Sequence, residues 1–225
     1  MELRRKRYKN SKSILIFLLL LLFGCNEDIK INKPIKIEKK QVTKSKIIEK
    51  QKSPELFIDV QPYKGLDKEI YSYVVNELRK AYPHVNLLTT IELPKSAYYK
   101  TRNRFSADTL VKLQKKVAKP KHVILGLTQE DICTKNNGVK DYGILGYAFQ
   151  PSNSCVASCK RLKNPNLKEQ FYKVAIHELG HTQDLDHCPD KTCIMTDAKG
   201  KNNTNNEKGF CVKCKSHLIK KGFVL

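Results

Sequence analysis

The 225-residue sequence lacks tryptophan, has only two methionines, and contains no apolar run long enough to cross a membrane. Its longest uncharged apolar run, ILIFLLLLLF, has about ten residues, whereas a permanent transmembrane helix needs roughly 20. No internal repeat is visible, and no nucleic-acid motif with interleaved aromatic residues is present. A nucleic-acid partner is therefore not expected, and the apolar run predicts a cleaved or anchored segment.

Residues 1–25 have the composition of an export signal. Six Lys or Arg residues precede the apolar run, and Gly24 and Cys25 follow it. The end of the segment, LFGC, resembles a bacterial lipobox, which implies cleavage before Cys25 and attachment of a lipid to its sulfur. A plain secretory signal with a chance cysteine is the alternative. We predict an exported lipoprotein of the cell envelope, held at the membrane through Cys25.

Residues 26–53 form a basic segment with nine Lys, four acidic residues, no aromatic residue and no Gly. Such a segment cannot bury enough apolar surface to fold alone, so a flexible linker is predicted. Contact of this strip with anionic headgroups is a second possibility. Residues 1–53 carry +10 of the formal charge of +21, and the other Lys residues are scattered, which favours a solvated basic surface. One domain, residues 54–225, remains, and we expect it to be monomeric.

Segments with strand and helix patterns alternate along residues 54–225. Strands are predicted at 55–63, 84–93, 122–132, 143–149 and 154–162, and helices at 66–82, 104–118 and 166–184. Ser106 is a good cap for the second helix, and Asn166 with Glu169 forms a capping-box pattern at the third. The alternation predicts a mixed α and β domain, of α+β or α/β class, with a twisted mixed sheet packed against helices.

The third predicted helix carries the pattern HELGH. His177 and His181 lie four residues apart, so both imidazoles share one helix face and can reach one metal ion. Glu178 is rotated about 100° from His177, which places it beside the ion, where it can act as a general base. A catalytic zinc ion takes three protein ligands, and His187 is the nearby residue of the favoured type. The chain must reverse to bring His187 back, and Asp184 can adopt the left-handed conformation that this requires.

Four cysteines follow in two close pairs, and they predict a structural zinc site. Tetrahedral zinc is commonly held by four thiolates, here Cys188, Cys193, Cys211 and Cys214. Two disulfides are the alternative, which an exported protein permits. Zinc is favoured because a CxxC pair seldom makes a comfortable structural disulfide and because two such bridges would not join the two segments.

HELGHTQDLDHCPDKTCIM followed by CVKC resembles the archaemetzincins, a branch of the metzincin zinc metalloproteases. The resemblance is specific over residues 174–214 and looser over 54–225. It implies a zincin-like fold in which the HExxH helix precedes a Cys-rich zinc-binding segment, with two zinc ions per chain. It also implies that Met195 lies under the catalytic zinc, and that Asp184 replaces a glycine of the family.

These features predict a zinc metallopeptidase that hydrolyses a peptide or protein substrate through a zinc-activated water. A non-catalytic, zinc-stabilised surface protein that binds a partner is the alternative. A strand near residues 155–162 could pair with extended substrate.

One disulfide is expected between Cys133 and either Cys155 or Cys159. His84, His122 and His217 are expected at the surface or at strand ends, and Asp186, Asp190 and Asp197 are candidate partners of the zinc histidines.

Overall fold

A computed structural model describes residues 56–163 and 165–225. The predicted export signal and linker, residues 1–53, lie outside the described residues, so the domain boundaries stay predictions. In the part of the chain that is described, no helix combines the length and the apolar character that a membrane span needs.

Four α-helices and nine strands follow one another along the described residues. The helices are α1 (Lys68–Ala81), α2 (Ala107–Val117), α3 (Leu167–Thr182) and α4 (Val212–Lys220). The strands are β1 (Phe57–Pro62), β2 (Val85–Leu87), β3 (Tyr98–Tyr99), β4 (Arg104–Ser106), β5 (His122–Thr128), β6 (Ile132–Asn136), β7 (Val139–Ile144), β8 (Gly146–Ala148) and β9 (Ser154–Ser158). Short 3₁₀ turns occur at Lys95–Ala97, Lys100–Arg102 and Thr204–Asn206.

The larger sheet has the strand order β2-β1-β5-β9-β8. Its first four strands are parallel, and β8 at the edge runs antiparallel to β9. A smaller sheet of order β3-β4-β6-β7 was not predicted as a separate sheet. The twisted mixed sheet with packed helices is the predicted fold class.

Two apolar clusters lie on opposite faces of the larger sheet. The main cluster joins β1, β5 and β9 to α1 and α3, with Leu78, Leu125 and Phe171 fully buried. The second cluster packs α2 against the other face, where Val156 of β9 contacts it. Because successive strand residues point to opposite faces, Cys155 and Ala157 face α3 while Val156 faces α2. The sheet and α1 therefore hold α3 along its length.

The caps of two helices test the sequence predictions directly. Ser106 caps α2 as predicted, since its side chain accepts a hydrogen bond from the Thr109 N–H. The capping box predicted at α3 is wrong, because the Asn166 side chain makes no cap hydrogen bond. Glu169 instead pairs with Lys173 at 2.8 Å, one turn further along the helix.

Candidate active site

His177, His181 and His187 converge, as the spacing predicts. The ligand nitrogens of the three rings lie within 4.8 Å of one another. The Nε2 atoms of His177 and His181 face each other at 3.0 Å. Tetrahedral zinc with nitrogen ligands at 2.0–2.1 Å would hold two such atoms about 3.3 Å apart, so the rings fit this metal.

Backbone carbonyl groups orient the first two rings. His177 Nδ1 lies 2.6 Å from the Ile194 carbonyl oxygen, and His181 Nδ1 lies 2.7 Å from that of Leu185. Each Nδ1 therefore carries the proton and donates it, which leaves the Nε2 lone pair for a metal ion. Burial, with His181 nearby, lowers the pKa of His177 to about 3, and burial also lowers the pKa of His181. Both rings are neutral near pH 7, which is the form that binds metals.

The reversal after α3 occurs at Asp184, as predicted. Asp184 has φ of 71°, in the left-handed region. The Leu185 N–H donates to the Gly180 carbonyl and the Asp184 N–H donates to the His181 carbonyl, which is the Schellman pattern of a helix end. The turn also brings the Leu185 carbonyl to the His181 ring. Asp184 therefore directs the chain back towards His187.

Met195 packs against α3 at Gly180, the residue before His181. It is fully buried, and a hydrogen bond from the Thr196 N–H to the Cys193 carbonyl closes a tight turn around it. A Cβ atom at Gly180 would lie 2.5 Å from the Met195 sulfur, so the missing side chain gives Met195 its place against α3. The turn also supplies the Ile194 carbonyl that orients His177.

Glu178 is buried next to the histidines and faces the edge strand. Only 7% of the residue is exposed, and burial raises the pKa of its carboxyl to about 8. A Cβ atom at Gly146 of β8 would overlap the Glu178 carboxyl, 2.5 Å from Cγ and 2.7 Å from Cδ. Gly146 thus leaves the space that the carboxyl occupies. A cation at the three histidines would favour the ionised, proton-accepting form of Glu178.

Cys188, Cys193, Cys211 and Cys214 form a second cluster, in which the four sulfur atoms lie within 4.8 Å of one another. The Cys188 and Cys211 sulfurs are 3.7 Å apart, far beyond a disulfide bond and close to the edge of about 3.8 Å expected for a ZnS₄ tetrahedron. Cys211 precedes α4, and a hydrogen bond from the Cys214 N–H lowers the pKa of the Cys211 thiol to about 7. The cluster therefore suits a metal ion better than the two disulfides held open as the alternative.

The disulfide predicted for Cys133 is wrong. Cys133, Cys155 and Cys159 are all free thiols. Cys155 and Cys159 pack into the main core, whereas Cys133 lies on β6 of the smaller sheet. The two sheets place these side chains in different parts of the domain, and burial raises the pKa of all three thiols.

The aspartates considered as partners of the zinc histidines also accept hydrogen bonds from other groups. The rings of His177 and His181 use backbone carbonyls, whereas Asp190 and Asp197 accept hydrogen bonds from the N–H groups of Thr192 and Lys199. Asp186 accepts one from the Gln150 side chain. The histidines outside the motif lie as expected: His122 begins β5, where it pairs with Asp59 at 2.7 Å, and His217 contacts the Gln183 carbonyl.

A cavity of about 490 Å³ extends from the histidines. It is lined by the chain before and at the start of β8, residues 142–146, and by the chain after Met195, residues 196–204 and 207. The strand at 155–162 cannot pair with substrate, because β9 is already hydrogen-bonded on both sides, to β5 and β8. The edge open for pairing is β8.

The sequence-based prediction missed several residues that shape the site or line its cavity. They are Gly146 next to Glu178, Gly180 next to Met195, and the wall residues Lys173 and Glu207. Lys173 gives a weak signal in the sequence, because it lies one helical turn before His177 on the same face. The others depend on chain segments that only the fold brings together.

Comparison with known proteins agrees with this geometry. The model of peptidase family M54 matches residues 52–221. The archaemetzincin of Methanopyrus kandleri is 32% identical over 127 residues, covering 55% of this chain and 70% of that protein. The archaemetzincin of Methanocaldococcus jannaschii is 26% identical over 178 residues, covering 75% of this chain and 96% of that protein.

Solved structures show the same fold. The crystal structure of the Methanopyrus kandleri archaemetzincin superposes with a TM-score of 0.63 at 26% identity, covering 74% of this chain and 95% of that one. The archaemetzincin structure from Archaeoglobus fulgidus, complexed with malonate, gives a TM-score of 0.62 at 24% identity, covering 72% of this chain and 99% of that one.

A mixed sheet over an HExxH helix, with a histidine triad and a cysteine quartet able to bind zinc, makes this protein a zinc metallopeptidase. The chain belongs to peptidase family M54, the family of the archaemetzincins.

Proposed function

We propose that this metallopeptidase hydrolyses peptide bonds with His177, His181 and His187 as its catalytic zinc ligands and Glu178 as its general base. The observation that carries the proposal is the orientation of the rings, in which both anchored Nδ1 atoms turn Nε2 towards one point. The buried Glu178 carboxyl next to them is the group available to move a proton.

Zinc bound there would polarise the scissile carbonyl and lower the pKa of a coordinated water. Glu178 accepts the proton of the attacking water and then donates it to the leaving amine. Gly146 keeps the carboxyl in place and lets the edge strand approach it closely. The Ile194 and Leu185 carbonyls keep the histidine rings in the required tautomer.

The substrate is proposed to bind in extended form, antiparallel to β8. Strand addition to an open sheet edge is a common way for peptides to bind, and β8 is the edge of the larger sheet beside Glu178. This assignment replaces the strand at 155–162 that the sequence favoured.

A second zinc ion at the cysteine quartet is proposed to stabilise the C-terminal segment. The quartet joins the loop after α3, through Cys188 and Cys193, to the start of α4, through Cys211 and Cys214. A structural ion there would fix the cavity wall between these two segments.

The Glu178→Gln substitution tests the catalytic assignment. It keeps the size of the side chain but removes the base, so kcat should fall by about 10²–10⁴-fold. Zinc content, measured by elemental analysis on the same samples, should not change. Full activity in this variant would remove Glu178 from the mechanism, and a parent protein that hydrolyses no peptide would favour the non-catalytic surface protein.

We also propose that the enzyme is exported and anchored by a lipid on Cys25. The basic start, the short apolar run and the LFGC ending support this assignment. Cys25→Ser should move the protein from the membrane fraction to the soluble fraction of a host that processes bacterial lipoproteins. Membrane association that survives the substitution would contradict the lipid anchor.

A further inference from the structure

Glu207 is a buried carboxylic acid in the wall of the cavity. It is 7% exposed, and it lines the same space as His177 and Glu178. Among the described residues, no hydrogen bond or ion pair is formed by its carboxyl oxygens. Burial raises the pKa of Glu207 to about 7, and the nearby Lys173 charge opposes part of this rise.

Two cationic residues that line the cavity direct their hydrogen bonds to groups other than the Glu207 carboxyl. The Lys173 ammonium group donates to the backbone carbonyls of Thr204, at 3.0 Å, and of Glu207, at 2.8 Å. It also pairs with the Glu169 carboxylate at 2.8 Å, so its three donors have acceptors. Lys173 thus holds the backbone of the wall and acts on the Glu207 carboxyl through its charge, without a hydrogen bond to it.

Arg161, which also lines the cavity, is paired with an aspartate. Its guanidinium makes two hydrogen bonds to Asp131, from Nε at 2.7 Å and from Nη2 at 2.8 Å. The same carboxylate accepts a hydrogen bond from Arg104 at 2.7 Å. The Arg161 guanidinium therefore does not pair with the Glu207 carboxyl.

The direction of β8 places Glu207 relative to the scissile bond. β8 runs from Gly146, next to Glu178, to Ala148, and residues 142–145 precede it along the cavity that contains Glu207. A substrate antiparallel to β8 runs the opposite way, so the part that follows its scissile bond lies towards residues 142–145. A substrate side chain on that side of the scissile bond enters the cavity that Glu207 lines.

We propose that Glu207 selects substrates with a basic side chain, Lys or Arg, immediately after the scissile bond. The inference rests on the proposed peptidase function and names its substrate class. The cation of the substrate completes the pair that the buried carboxyl lacks. A cavity-lining carboxylate without a hydrogen-bond partner favours a cation over a neutral residue at this position, and a second negative charge is repelled.

Three peptides that differ only in the residue after the scissile bond test this selectivity. The residues are Lys, its uncharged analogue norleucine, and Glu, and kcat/KM is measured for each with the zinc-loaded full-length protein. We expect the Lys peptide to be preferred over the norleucine peptide by about tenfold or more, the effect of one charge-assisted hydrogen bond. The Glu peptide should be the poorest substrate.

Two substitutions at Glu207 assign the preference to this residue. Glu207→Gln should bring the Lys-to-norleucine ratio close to one, and Glu207→Asp should retain a preference for Lys. Glu92→Gln is the matched control, because it removes an exposed acid that pairs with Lys64 outside the cavity. It should leave the ratio unchanged. Zinc content and melting temperature of each variant confirm that it is folded.

The outcomes separate this inference from the proposed function. A parent protein that cleaves all three peptides equally, or prefers Glu, overturns the selectivity and leaves the peptidase intact. The same holds if Glu207→Gln folds and keeps the Lys preference. A parent protein that cleaves no peptide overturns the proposed function, and the selectivity with it.

Discussion

Asp184 occupies the left-handed turn on which the third histidine depends. A residue with a Cβ atom is strained in this conformation, and aspartate tolerates it better than most. The two hydrogen bonds of the turn, from Leu185 N–H to Gly180 and from Asp184 N–H to His181, compensate for part of this strain. The sequence was sufficient to predict this feature, because the spacing from His181 to His187 requires a reversal.

Substitutions at Asp184 should separate backbone strain from side-chain chemistry. Asp184→Gly should keep the free energy of unfolding within about 1 kcal/mol of the parent, since glycine adopts positive φ freely. Asp184→Val should lower it by about 1–3 kcal/mol, because a β-branched residue is strongly disfavoured at φ of 71°. Denaturant unfolding of zinc-loaded protein measures both. Equal stability of the two variants would show that the turn does not constrain residue 184.

Side-chain contacts between distant segments were harder to predict from sequence. Gly146 and Glu178 are 32 positions apart, and Gly180 and Met195 are 15 apart, so no local pattern links either pair. Glu207 likewise looks like an ordinary surface acid in its polar stretch, NNEKG. Their roles come from the packing of chain segments against the cavity and α3.

Among the elements, α3 was the easiest to predict and the smaller sheet the hardest. α3 spans Leu167–Thr182 against the predicted 166–184, because its apolar residues recur over many turns. β3 and β4 have only two and three residues, too few to show an alternating pattern. The predicted strand at 143–149 divides into the end of β7 and the edge strand β8, and α4 was not predicted.

The close approach of the edge strand β8 to Glu178 can be tested by adding one carbon atom at Gly146. Gly146→Ala should reduce kcat/KM on the order of 10²-fold, because the new methyl group displaces the Glu178 carboxyl from the reacting atoms. Zinc content should stay the same, since the metal-binding rings do not contact residue 146 through the added carbon. Activity at the parent level would mean that Glu178 does not need the position seen beside β8.

At the scale of the whole molecule, the order of the motifs along the chain defines the arrangement of both candidate metal sites. The histidine triad and the cysteine quartet share the loop that runs from His187 through Cys188 to Met195. Both clusters could be predicted from sequence because metal ligands need particular residue types at short spacings. The pairing of Cys133 could not be predicted from spacing, because the packing of the two sheets decides which thiols come close together.

The central claim is that one zinc ion binds to the histidine triad, with a second at the cysteine quartet. A crystal of the purified protein, measured above and below the zinc absorption edge, locates zinc by its anomalous scattering. The predicted result is one peak bonded to His177, His181 and His187 and another bonded to the four cysteines. Absence of a peak at the triad in protein purified with zinc, or a His187 ring turned away from it, would contradict the proposed catalytic site.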